Sequence, residues 1–501
     1  MKRKVTVIGG GLAGMSTAIR LAAHNYDVTI LEKGERLGGK LNIRKGMGFT
    51  FDTGPSILTM PWVLEKLFSS VGKNVHDYLE IVRVEPGWRT FFEDGTKIDL
   101  TSDLPTMLQE IKKVSEEDSH SFLSYLQYSE KLYDLMMKSF YKENINGLQD
   151  LRKKHPLKEL LMMDPMKSVD QATRKYFKDP HIQQVMNFLQ MYIGSSPYHA
   201  PAILSQLAHV QLGVGVYYVK GGMYKIAEAM EQVLQELGVN VLLNMKVTGV
   251  EKVGNKIRSV RTENGADFAA DLVVSNLEVI PFYESMLEDQ GEKARAKSDL
   301  KKFEPTVSGL VLLLGVNKKY EELGHHNFFF SGDQEKEFKQ MFDQKQLADD
   351  PTIYIGISSK SDESQAPEGK ENLFVLTHVP PLKEGETWEA NKESYRDLVL
   401  SKLERMGLTD LRESIEFEYT FTPDDLKELY GANGGSIYGV VTDRKMNSGF
   451  KIPSRSKLFD NVYFVGGSTH PGGGVPMVTL SGQLTADLII GDEANVAKEI
   501  G

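Results

Sequence analysis

The sequence predicts an α/β protein in which a nucleotide-binding domain of the βαβ type is interleaved with a second, mixed α+β domain. Three observations support this prediction. The chain has 501 residues, more than one compact core usually holds, so two or three domains are expected. A strand–turn–helix–strand pattern opens the chain at residues 4–31. An α/β pattern returns at residues 216–276, after a long helical stretch.

The composition excludes several classes of function. A net charge of −10 argues against a nucleic-acid-binding protein, for which a basic surface is expected. The chain has no cysteine, so disulfides, thiolate metal sites, iron–sulfur clusters and cysteine nucleophiles are excluded, and a reducing cytoplasm suits it. The most apolar run beyond the first strand, residues 310–316, is too short to cross a bilayer, so we expect a soluble or peripheral protein.

The first α/β unit is predicted from its periodicity. Residues 4–8 and 27–31 are short segments rich in β-branched residues, as is typical of strands. Between them, apolar residues recur at helical spacing over residues 14–23. The start of the chain is therefore a complete βαβ unit.

The turn of this unit carries a dinucleotide fingerprint. It reads Gly9-x-Gly11-x-x-Gly14, and Glu32 ends the second strand. In a Rossmann-type unit such glycines make a tight turn, let backbone approach a pyrophosphate and allow close helix–strand packing. The helix N-terminus attracts the phosphate, and the acid hydrogen-bonds a ribose hydroxyl. An acidic residue at this position disfavours a ribose with a 2′-phosphate.

The second α/β stretch follows the same logic. Residues 216–222 predict a strand and turn, and apolar positions over 223–237 predict an amphipathic helix. Gly238 stands where a helix C-terminal glycine belongs. Three short strands are predicted after it, at residues 239–243, 247–253 and 271–276.

The intervening segments differ in character, and this sets the predicted domain division. Residues 104–195 are mostly helical in pattern, with many Met and aromatic residues, while residues 305–420 mix strands and helices. Two interruptions of one nucleotide-binding domain explain the alternation. The predicted division assigns 1–103, 213–295 and 421–501 to the nucleotide-binding domain, 104–212 to a helical substrate- or membrane-facing region, and 296–420 to the rest of the substrate domain.

Two further glycine-containing segments suit a ligand that the backbone approaches closely. Arg36 precedes Gly38 and Gly39, which can close over the other side of a pyrophosphate while the arginine adds charge-assisted donors. A surface turn is the alternative. Asp52, Gly54 and Pro55 then form a turn.

The third glycine-rich segment lies near the end of the chain. Residues 466–476 read GGSTHPGGGVP, and five of these eleven residues are glycine. Pro476 suits the first residue of a helix that we expect to run to about Ile490. The backbone N–H groups around residues 476–478, where Pro476 itself has none, would face the ligand, and the positive helix end there would stabilise negative charge.

The order of these motifs resembles the carotenoid (phytoene-type) desaturase family, which is related to the amine oxidases and the Rab GDP-dissociation inhibitors. The resemblance covers essentially the whole chain. It rests on the glycine loop with its acidic residue and on four further motifs: Arg-x-Gly-Gly-Lys (36–40), Phe-Asp-x-Gly-Pro (51–55), Lys-Gly-Gly-Met (220–223) and the C-terminal glycine cluster. Segments similar to the bacterial thirty-carbon carotenoid enzymes are 54–61, 192–205, 275–281, 325–331 and 349–355.

The resemblance implies FAD as the cofactor, extended across the nucleotide-binding domain. It also implies an amine-oxidase-like or desaturase-like fold, in which the substrate reaches the flavin ring through the second domain. The residues implied to hold adenosine and pyrophosphate are Gly9, Gly11, Gly14, Glu32, Arg36, Gly39 and Val247. The other residues expected around the cofactor are Lys33, Gly38, Gly54, Pro55, Gly466, Gly467, Gly474, Pro476, Met477 and Val478.

The resemblance also implies an activity. The first expectation is oxidation of a terminal methyl group of a thirty-carbon carotenoid towards an aldehyde, with oxygen or a quinone reoxidising the flavin. Desaturation of such a polyene is the second expectation. A flavin amine oxidase and a flavin-free prenyl-lipid chaperone rank lower. Flavin carries such chemistry while the protein binds and orients, so catalytic residues stay unassigned, with His470 and Glu278 as weak candidates.

Four further features are ambiguous from sequence. A loop role is favoured for His470, and a solvated loop acid is the default for Glu278. The pair His325 and His326 has no further metal ligands nearby, so surface exposure or tunnel lining is expected, and no metal site. The Met and aromatic residues of the helical region suit either a core or a tunnel for a polyene. Basic and apolar residues at 151–163 are the candidate membrane contact, on the cytoplasmic face of the cell membrane.

Overall fold

The computed structural model describes residues 2–500, and of residues 496–500 only the backbone. Residue 1 of the predicted segment 1–103 and residue 501 of the predicted segment 421–501 therefore lie outside the described residues. The strands are β1 (Lys4–Ile8), β2 (Asp27–Leu31), β3 (Ile43–Gly46), β4 (Phe49–Asp52), β5 (Ile81–Arg83), β6 (Trp88–Phe91), β7 (Lys97–Leu100), β8 (Tyr217–Val219), β9 (Asn240–Leu242), β10 (Val247–Val253), β11 (Lys256–Thr262), β12 (Asp267–Ala269), β13 (Leu272–Ser275), β14 (Ser308–Val316), β15 (His326–Phe329), β16 (Ile353–Gly356), β17 (Glu371–Val379), β18 (Ile415–Phe421) and β19 (Val462–Phe464).

The α-helices alternate with these strands and gather in two places, one beside the parallel sheet and one in the segment between β7 and β8. They are α1 (Leu12–Ala23), α2 (Trp62–Ser69), α3 (Leu104–Val114), α4 (Glu116–Lys138), α5 (Leu148–Lys154), α6 (Leu157–Met162), α7 (Val169–Tyr176), α8 (Pro180–Phe188), α9 (Gln206–Ala208), α10 (Lys225–Glu236), α11 (Val279–Met286), α12 (Gln290–Leu300), α13 (Gln334–Phe338), α14 (Glu389–Arg405), α15 (Leu411–Ser414), α16 (Pro423–Tyr430) and α17 (Val475–Ile500).

A five-stranded sheet forms the nucleotide-binding part. Its order is β19-β13-β1-β2-β9, and every neighbouring pair is parallel. Strands buried on both faces read as runs of Val, Ile and Leu, as β1 and β13 do. Helices α1, α10 and α17 pack beside this sheet, with α1 in contact with both others. The predicted βαβ unit and the return of the chain at β9 and β13 are confirmed.

A seven-stranded sheet forms the second layer of the molecule. Its order is β18-β14-β17-β16-β15-β6-β7, antiparallel except where β15 meets β6. One face packs on α14 through a cluster that includes Leu312, Leu373 and Val399. Because side chains alternate along a strand, the opposite face is free to line a cavity. The predicted α/β fold with an interleaved α+β part is therefore present.

The structure differs from the sequence prediction at two boundaries. Strands β6 and β7 lie inside the segment 1–103, yet they pair into the seven-stranded sheet. No linker signal marks this change, because both strands are short and joined by an ordinary hairpin turn. Helix α17 begins at Val475 and continues to Ile500, not Ile490. The expected end near Ile490 was therefore wrong, because the helix continues through Gly491.

Candidate cofactor and substrate site

One large cavity runs from the parallel sheet to the seven-stranded sheet. It measures about 340 Å³, within the ~300–1,000 Å³ of an ordinary ligand pocket. Its first part lies outside the carboxyl ends of the parallel strands, the usual ligand position in an open α/β sheet. Each of the five strands is followed there by a lining residue or segment: Gly9, Glu32, 245–247, Asn276 and Gly466.

The first glycine loop is shaped by contacts with its surroundings. Gly9 has a φ of +92°, a conformation that favours glycine. A Cβ at Gly11 would lie 2.8 Å from Asn276 Nδ2, and a Cβ at Gly14 would overlap the carbonyl oxygen of Gly9. Gly14 is thus the glycine of close helix–strand packing and does not itself line the cavity. Its N–H donates to Asn276 Oδ1 at 2.9 Å.

Glu32 anchors the loop while it lines the cavity. Its Oε2 accepts the Gly10 N–H and its Oε1 accepts the Gly34 N–H, both at 2.7 Å. A carboxylate has about four acceptor positions, so capacity for a ribose hydroxyl remains. Lys33 also lines the cavity and donates to the Glu428 carbonyl at 2.7 Å. Burial lowers the pKa of Lys33.

The second glycine pair meets the first loop directly. The Gly38 N–H donates to the Gly10 carbonyl at 2.9 Å, and a Cβ at Gly39 would lie 3.1 Å from Gly11 Cα. Gly38 and Gly39 line the cavity, but Arg36 does not. The Arg36 side chain is half-exposed and pairs with Glu35. The two glycine turns are therefore in contact, and the predicted position of Gly38 and Gly39 over a pyrophosphate stays a prediction, while the Arg36 side chain lies outside the cavity wall.

The adjoining wall holds Gly54, Pro55 and a buried ion pair. Gly54 and Pro55 line the cavity, and a Cβ at Gly54 would overlap the Lys40 carbonyl. Lys40 Nζ lies 3.2 Å from Glu278 Oε1 and donates to the Ser436 carbonyl at 2.8 Å. The Glu278 side chain is only 11% exposed and lines the cavity. The default of a solvated loop acid was therefore wrong, because Lys40 neutralises this carboxylate inside the wall.

The C-terminal glycine cluster forms the wall opposite the first loop. Six residues of this cluster and of the start of α17 line the cavity: Gly466, Gly467, Gly473, Gly474, Val475 and Val478. Pro476 and Met477 do not line it, because they lie on the side of α17 turned away, where Met477 joins an apolar cluster. Val247 lines the cavity as predicted. The second glycine cluster and the first loop thus face the same space.

This part of the cavity fits a dinucleotide. Helix α1 has Gly11 as its N-cap, without a side-chain cap. Because the Gly14 N–H is bound by Asn276, the N–H groups of Leu12 and Ala13 are those available to a phosphate. Gly474 has a φ of +99°, and a Cβ there would extend to within 3.8 Å of the Tyr192 ring. The glycines on both walls keep the space that side chains would occupy.

The far part of the cavity is apolar and lies on the free face of the seven-stranded sheet. One to three residues from each of five strands line it: Val311, Phe374, Leu376, His378, Tyr354, Phe328 and Trp88. At about 4.8 Å per strand, this floor extends about 19 Å from β14 to β6. Phe188 packs on it, with its ring centroid 4.9 Å from that of Phe328. Such a floor suits a long apolar molecule.

Hydrogen bonds tie one polar group of the floor to its surroundings. The Tyr354 hydroxyl lies 2.8 Å from Ser56 Oγ and 2.7 Å from His326 Nδ1. Ser56 also lines the cavity, while His325 and His326 stand behind the wall. Both histidines are buried, and burial lowers the pKa of His325 to about 3. The expectation of surface exposure or tunnel lining for this pair was wrong, because both rings pack inside.

His470 lies away from the cavity. It is buried, its Nε2 donates to the Phe140 carbonyl at 2.8 Å, and the two rings pack with centroids 5.2 Å apart. Burial lowers its pKa to about 4, so the ring is neutral. This is the loop role that the sequence favoured.

Sequence analysis missed several lining residues, among them Asn276, Lys40, Tyr192, Tyr438 and His378. Asn276 could have been found, because it is the last residue of the predicted strand 271–276, at the carboxyl end where ligands of parallel sheets bind. Lys40 follows the glycine pair. Tyr438 lies in a segment without periodicity, and His378 lies within an apolar strand, so neither position carries a local signal.

Comparison with known proteins gives the family. A family model described as "Flavin containing amine oxidoreductase" matches residues 12–490. A 4,4'-diapolycopene oxygenase from Methylomonas sp is 46% identical, over 98% of this chain and 98% of its own length. A 4,4'-diaponeurosporene oxygenase from Staphylococcus haemolyticus is 43% identical, over 99% of both chains.

Solved structures share the fold at low sequence identity. An oxidoreductase from Methanosarcina mazei superposes with a TM-score of 0.62 at 16% identity, covering 97% of this chain and 100% of its own. Putrescine oxidase bound to putrescine gives 0.61 at 16% identity, covering 98% and 99%. A Rab GDI from Plasmodium falciparum gives 0.55 at 14% identity, covering 97% and 98%. These likenesses concern the fold alone.

Proposed function

The chain belongs to the flavin containing amine oxidoreductase family and is an FAD-dependent oxidoreductase, and from this premise we propose that it oxidises a terminal methyl group of a thirty-carbon carotenoid towards the aldehyde. The relatives that are 46% and 43% identical over nearly the full length bear the names of oxygenases of such polyenes. The observation that carries the proposal within the structure is the apolar floor that continues the nucleotide cavity.

The floor argues for a hydrocarbon substrate over an amine. A soluble amine is a cation at neutral pH, and burying it is costly unless a carboxylate pairs with it. Among the described residues, the carboxylates that line the cavity are Glu32 and Glu278. Both lie in its first part, and Glu278 is already paired with Lys40. The aromatic and aliphatic side chains from β6 to β14 instead bury an extended apolar chain at about 25 cal/mol per Å².

We propose that the two walls of the first part of the cavity bind different parts of the cofactor. We assign the adenosine and pyrophosphate to the loop at Gly9 and Gly11, to Glu32 and to Val247. We assign the flavin ring to the wall formed by 54–56 and 466–478. FAD, when bound, would supply the acceptor for a hydride equivalent, and the residues of this chain would orient the polyene and exclude water. The N-terminus of α17 would stabilise negative charge on the flavin ring at that wall.

Pigment analysis tests the activity. The chain is co-expressed with enzymes that make a thirty-carbon polyene, and the pigments are analysed by mass. Products with a carbonyl-bearing end group are expected. New conjugated double bonds without added oxygen would replace the proposal with a desaturase, and hydrogen peroxide released from polyamines would replace it with an amine oxidase.

The electron acceptor is tested on the purified protein in its yellow, oxidised form. We propose that molecular oxygen or a quinone reoxidises the flavin. After reduction by substrate, return of the flavin absorbance is followed with oxygen alone, with a soluble quinone alone and with neither. Return with neither would contradict both acceptors.

We also propose that α5 and α6 hold the protein on the cytoplasmic face of a membrane, where such a substrate dissolves. No helix within residues 2–500 is long and apolar enough to cross a bilayer. Yet five large apolar side chains are exposed in this short segment: Leu148, Leu157, Leu161, Met162 and Met166. Arg152 and Lys158 are exposed beside them. Apolar side chains flanked by cations are typical of interfacial segments.

Vesicle sedimentation tests this contact with a matched pair of variants. Leu157→Glu places a charge on the segment, whereas Val253→Glu places one on a distant strand at a similar exposure, 72% against 67%. Binding to vesicles that contain anionic lipid is expected to fall several-fold for Leu157→Glu alone. Equal binding by both variants would contradict a membrane contact at α5 and α6.

A further inference from the structure

His378 is the feature of the apolar floor that a hydrocarbon substrate does not explain. It lies on β17, where Phe374, Leu376 and His378 alternate on the cavity side. Leu373, Val375 and Val379 alternate on the other side, within the core that packs on α14. The register of β17 therefore points the imidazole at the substrate space, at a position where its two neighbours are apolar.

Within the described part of the chain, the imidazole of His378 has no hydrogen-bond partner. Its Nε2 is buried without a hydrogen bond, and the residue is only 7% exposed. Burial lowers its pKa to about 4, so the ring is neutral near pH 7 and offers one N–H donor and one acceptor. An unsatisfied buried polar group is costly, which makes a histidine here unfavourable unless a ligand completes it.

Two other polar groups near the floor, Tyr354 and Gln211, are already engaged. The Tyr354 hydroxyl has two partners, Ser56 and His326. Gln211 donates to the Leu189 carbonyl at 3.4 Å. Trp88 Nε1 is also buried without a partner, but it lies on β6, three strands from β17. His378 is thus a polar group with spare capacity at its own end of the floor.

His378 stands at the cofactor end of the substrate space. Its ring centroid lies 6.2 Å from that of Tyr438. The backbone of Tyr438 abuts the C-terminal glycine cluster, since its carbonyl oxygen would lie 2.6 Å from a Cβ at Gly473 and 2.9 Å from one at Gly467. One aromatic ring therefore separates His378 from the wall assigned to the flavin.

We propose that His378 determines specificity by binding the oxygen atom of a partly oxidised end group, the terminal alcohol or aldehyde of the polyene. A methyl end group leaves the imidazole unsatisfied, whereas a hydroxyl or carbonyl oxygen completes it. The alcohol is then held better than the hydrocarbon, and the end group stays in place for its second oxidation. This inference rests on the proposed function and extends it from the polyene to its oxygenated end.

Ligand binding tests the role of His378 apart from turnover. Purified holoprotein is titrated with a thirty-carbon polyene and with its terminal alcohol, and binding is followed by the shift in polyene absorbance. One net hydrogen bond corresponds to a preference of about twofold to tenfold for the alcohol. His378→Phe is expected to remove this preference, and His378→Gln to restore part of it. Leu376→Met, two residues away on the same face, should keep the preference.

The outcomes separate this inference from the proposed function. Equal affinity of the unmodified protein for both ligands, or an undiminished preference in His378→Phe, overturns the role of His378. Should His378→Phe lose its flavin, His378→Leu and His378→Gln provide the same comparison. The proposed function fails independently, if the unmodified chain forms no oxygenated pigment in the co-expression experiment. In that experiment His378→Phe should raise the ratio of terminal alcohol to aldehyde.

Discussion

Two glycines of α17 allow a sharp test of how the end of the chain secures the cofactor site. Gly482 faces α1: a Cβ there would overlap the Ala13 carbonyl and lie 2.7 Å from Ser16 Cβ and 2.9 Å from Thr17 N. Gly491, on the same helix, has nothing within 4 Å of such a Cβ. Alanine at each position is therefore the same chemical change in two packing environments.

Two free-energy terms act on these variants. One is common to both and cancels, so the other sets the expected difference in stability. Replacing a helical glycine by alanine stabilises a helix by about 1 kcal/mol, and this gain is common to both variants. Overpacking costs about 1–3 kcal/mol and applies to Gly482→Ala alone. Because two of its three close contacts are backbone atoms of α1, which cannot rotate away, we expect the upper part of this range. The contact involves the first turn of α1, so the same strain reaches the phosphate-binding loop.

Flavin retention and thermal unfolding of the holoprotein measure the effect. Gly491→Ala should unfold at or above the temperature of the unmodified protein and keep its FAD. Gly482→Ala should unfold at a lower temperature and release FAD more readily, by about 5- to 150-fold if the whole cost of 1–3 kcal/mol falls on the bound state. Equal retention and equal unfolding temperatures in the two variants would refute the packing argument.

Three further predictions concern the cavity wall. Asn276→Leu removes the acceptor of the Gly14 N–H, so stability of the loop should fall by about 1–3 kcal/mol, measured as FAD loss on gel filtration. Burial raises the pKa of Asp52 to about 6 from 3.8, so its contribution to stability is present below pH 4 and lost as the pH rises through 6. Asp52→Asn should flatten that fall, which amounts to about 3 kcal/mol, in urea unfolding at pH 4–7. Lys40→Met leaves the Glu278 carboxylate in the wall without its cation, so the FAD content of the purified protein should drop, whereas the pair Lys40→Met with Glu278→Gln should retain FAD.

The nucleotide-binding part could be predicted from the sequence because its signals are local. Gly9, Gly11 and Glu32 stand at fixed spacing around one strand and one helix, and parallel sheets place such residues at one edge. The contact of Gly38 with the first loop was not predicted, because it joins two turns that are 28 residues apart. The glycine positions of this loop can be recognised because they need a backbone geometry that favours glycine.

The substrate space could not be predicted in the same way, because its residues converge from distant strands. Four different strands carry the residues Trp88, Phe328, Tyr354 and His378. Only the pairing order of the seven-stranded sheet brings these residues to one face. In isolation each reads as an ordinary core residue of a short apolar strand. Arg36 shows the reverse case, since its motif pointed to the cofactor while its side chain pairs with Glu35.

The strand order of the parallel sheet has a consequence for how the protein is made. Strand β1 leaves the ribosome among the first residues, but β19 and the glycine cluster that follows it come more than 450 residues later. At about 5–20 residues per second, this interval lasts roughly 20–90 seconds. During that time the first glycine loop exists without the C-terminal glycine cluster that faces it. The contacts between these two segments are among the most non-local in the chain. Cofactor loading is therefore a late event of biogenesis, and a ribosome that stalls before β19 releases a chain that cannot close around its flavin.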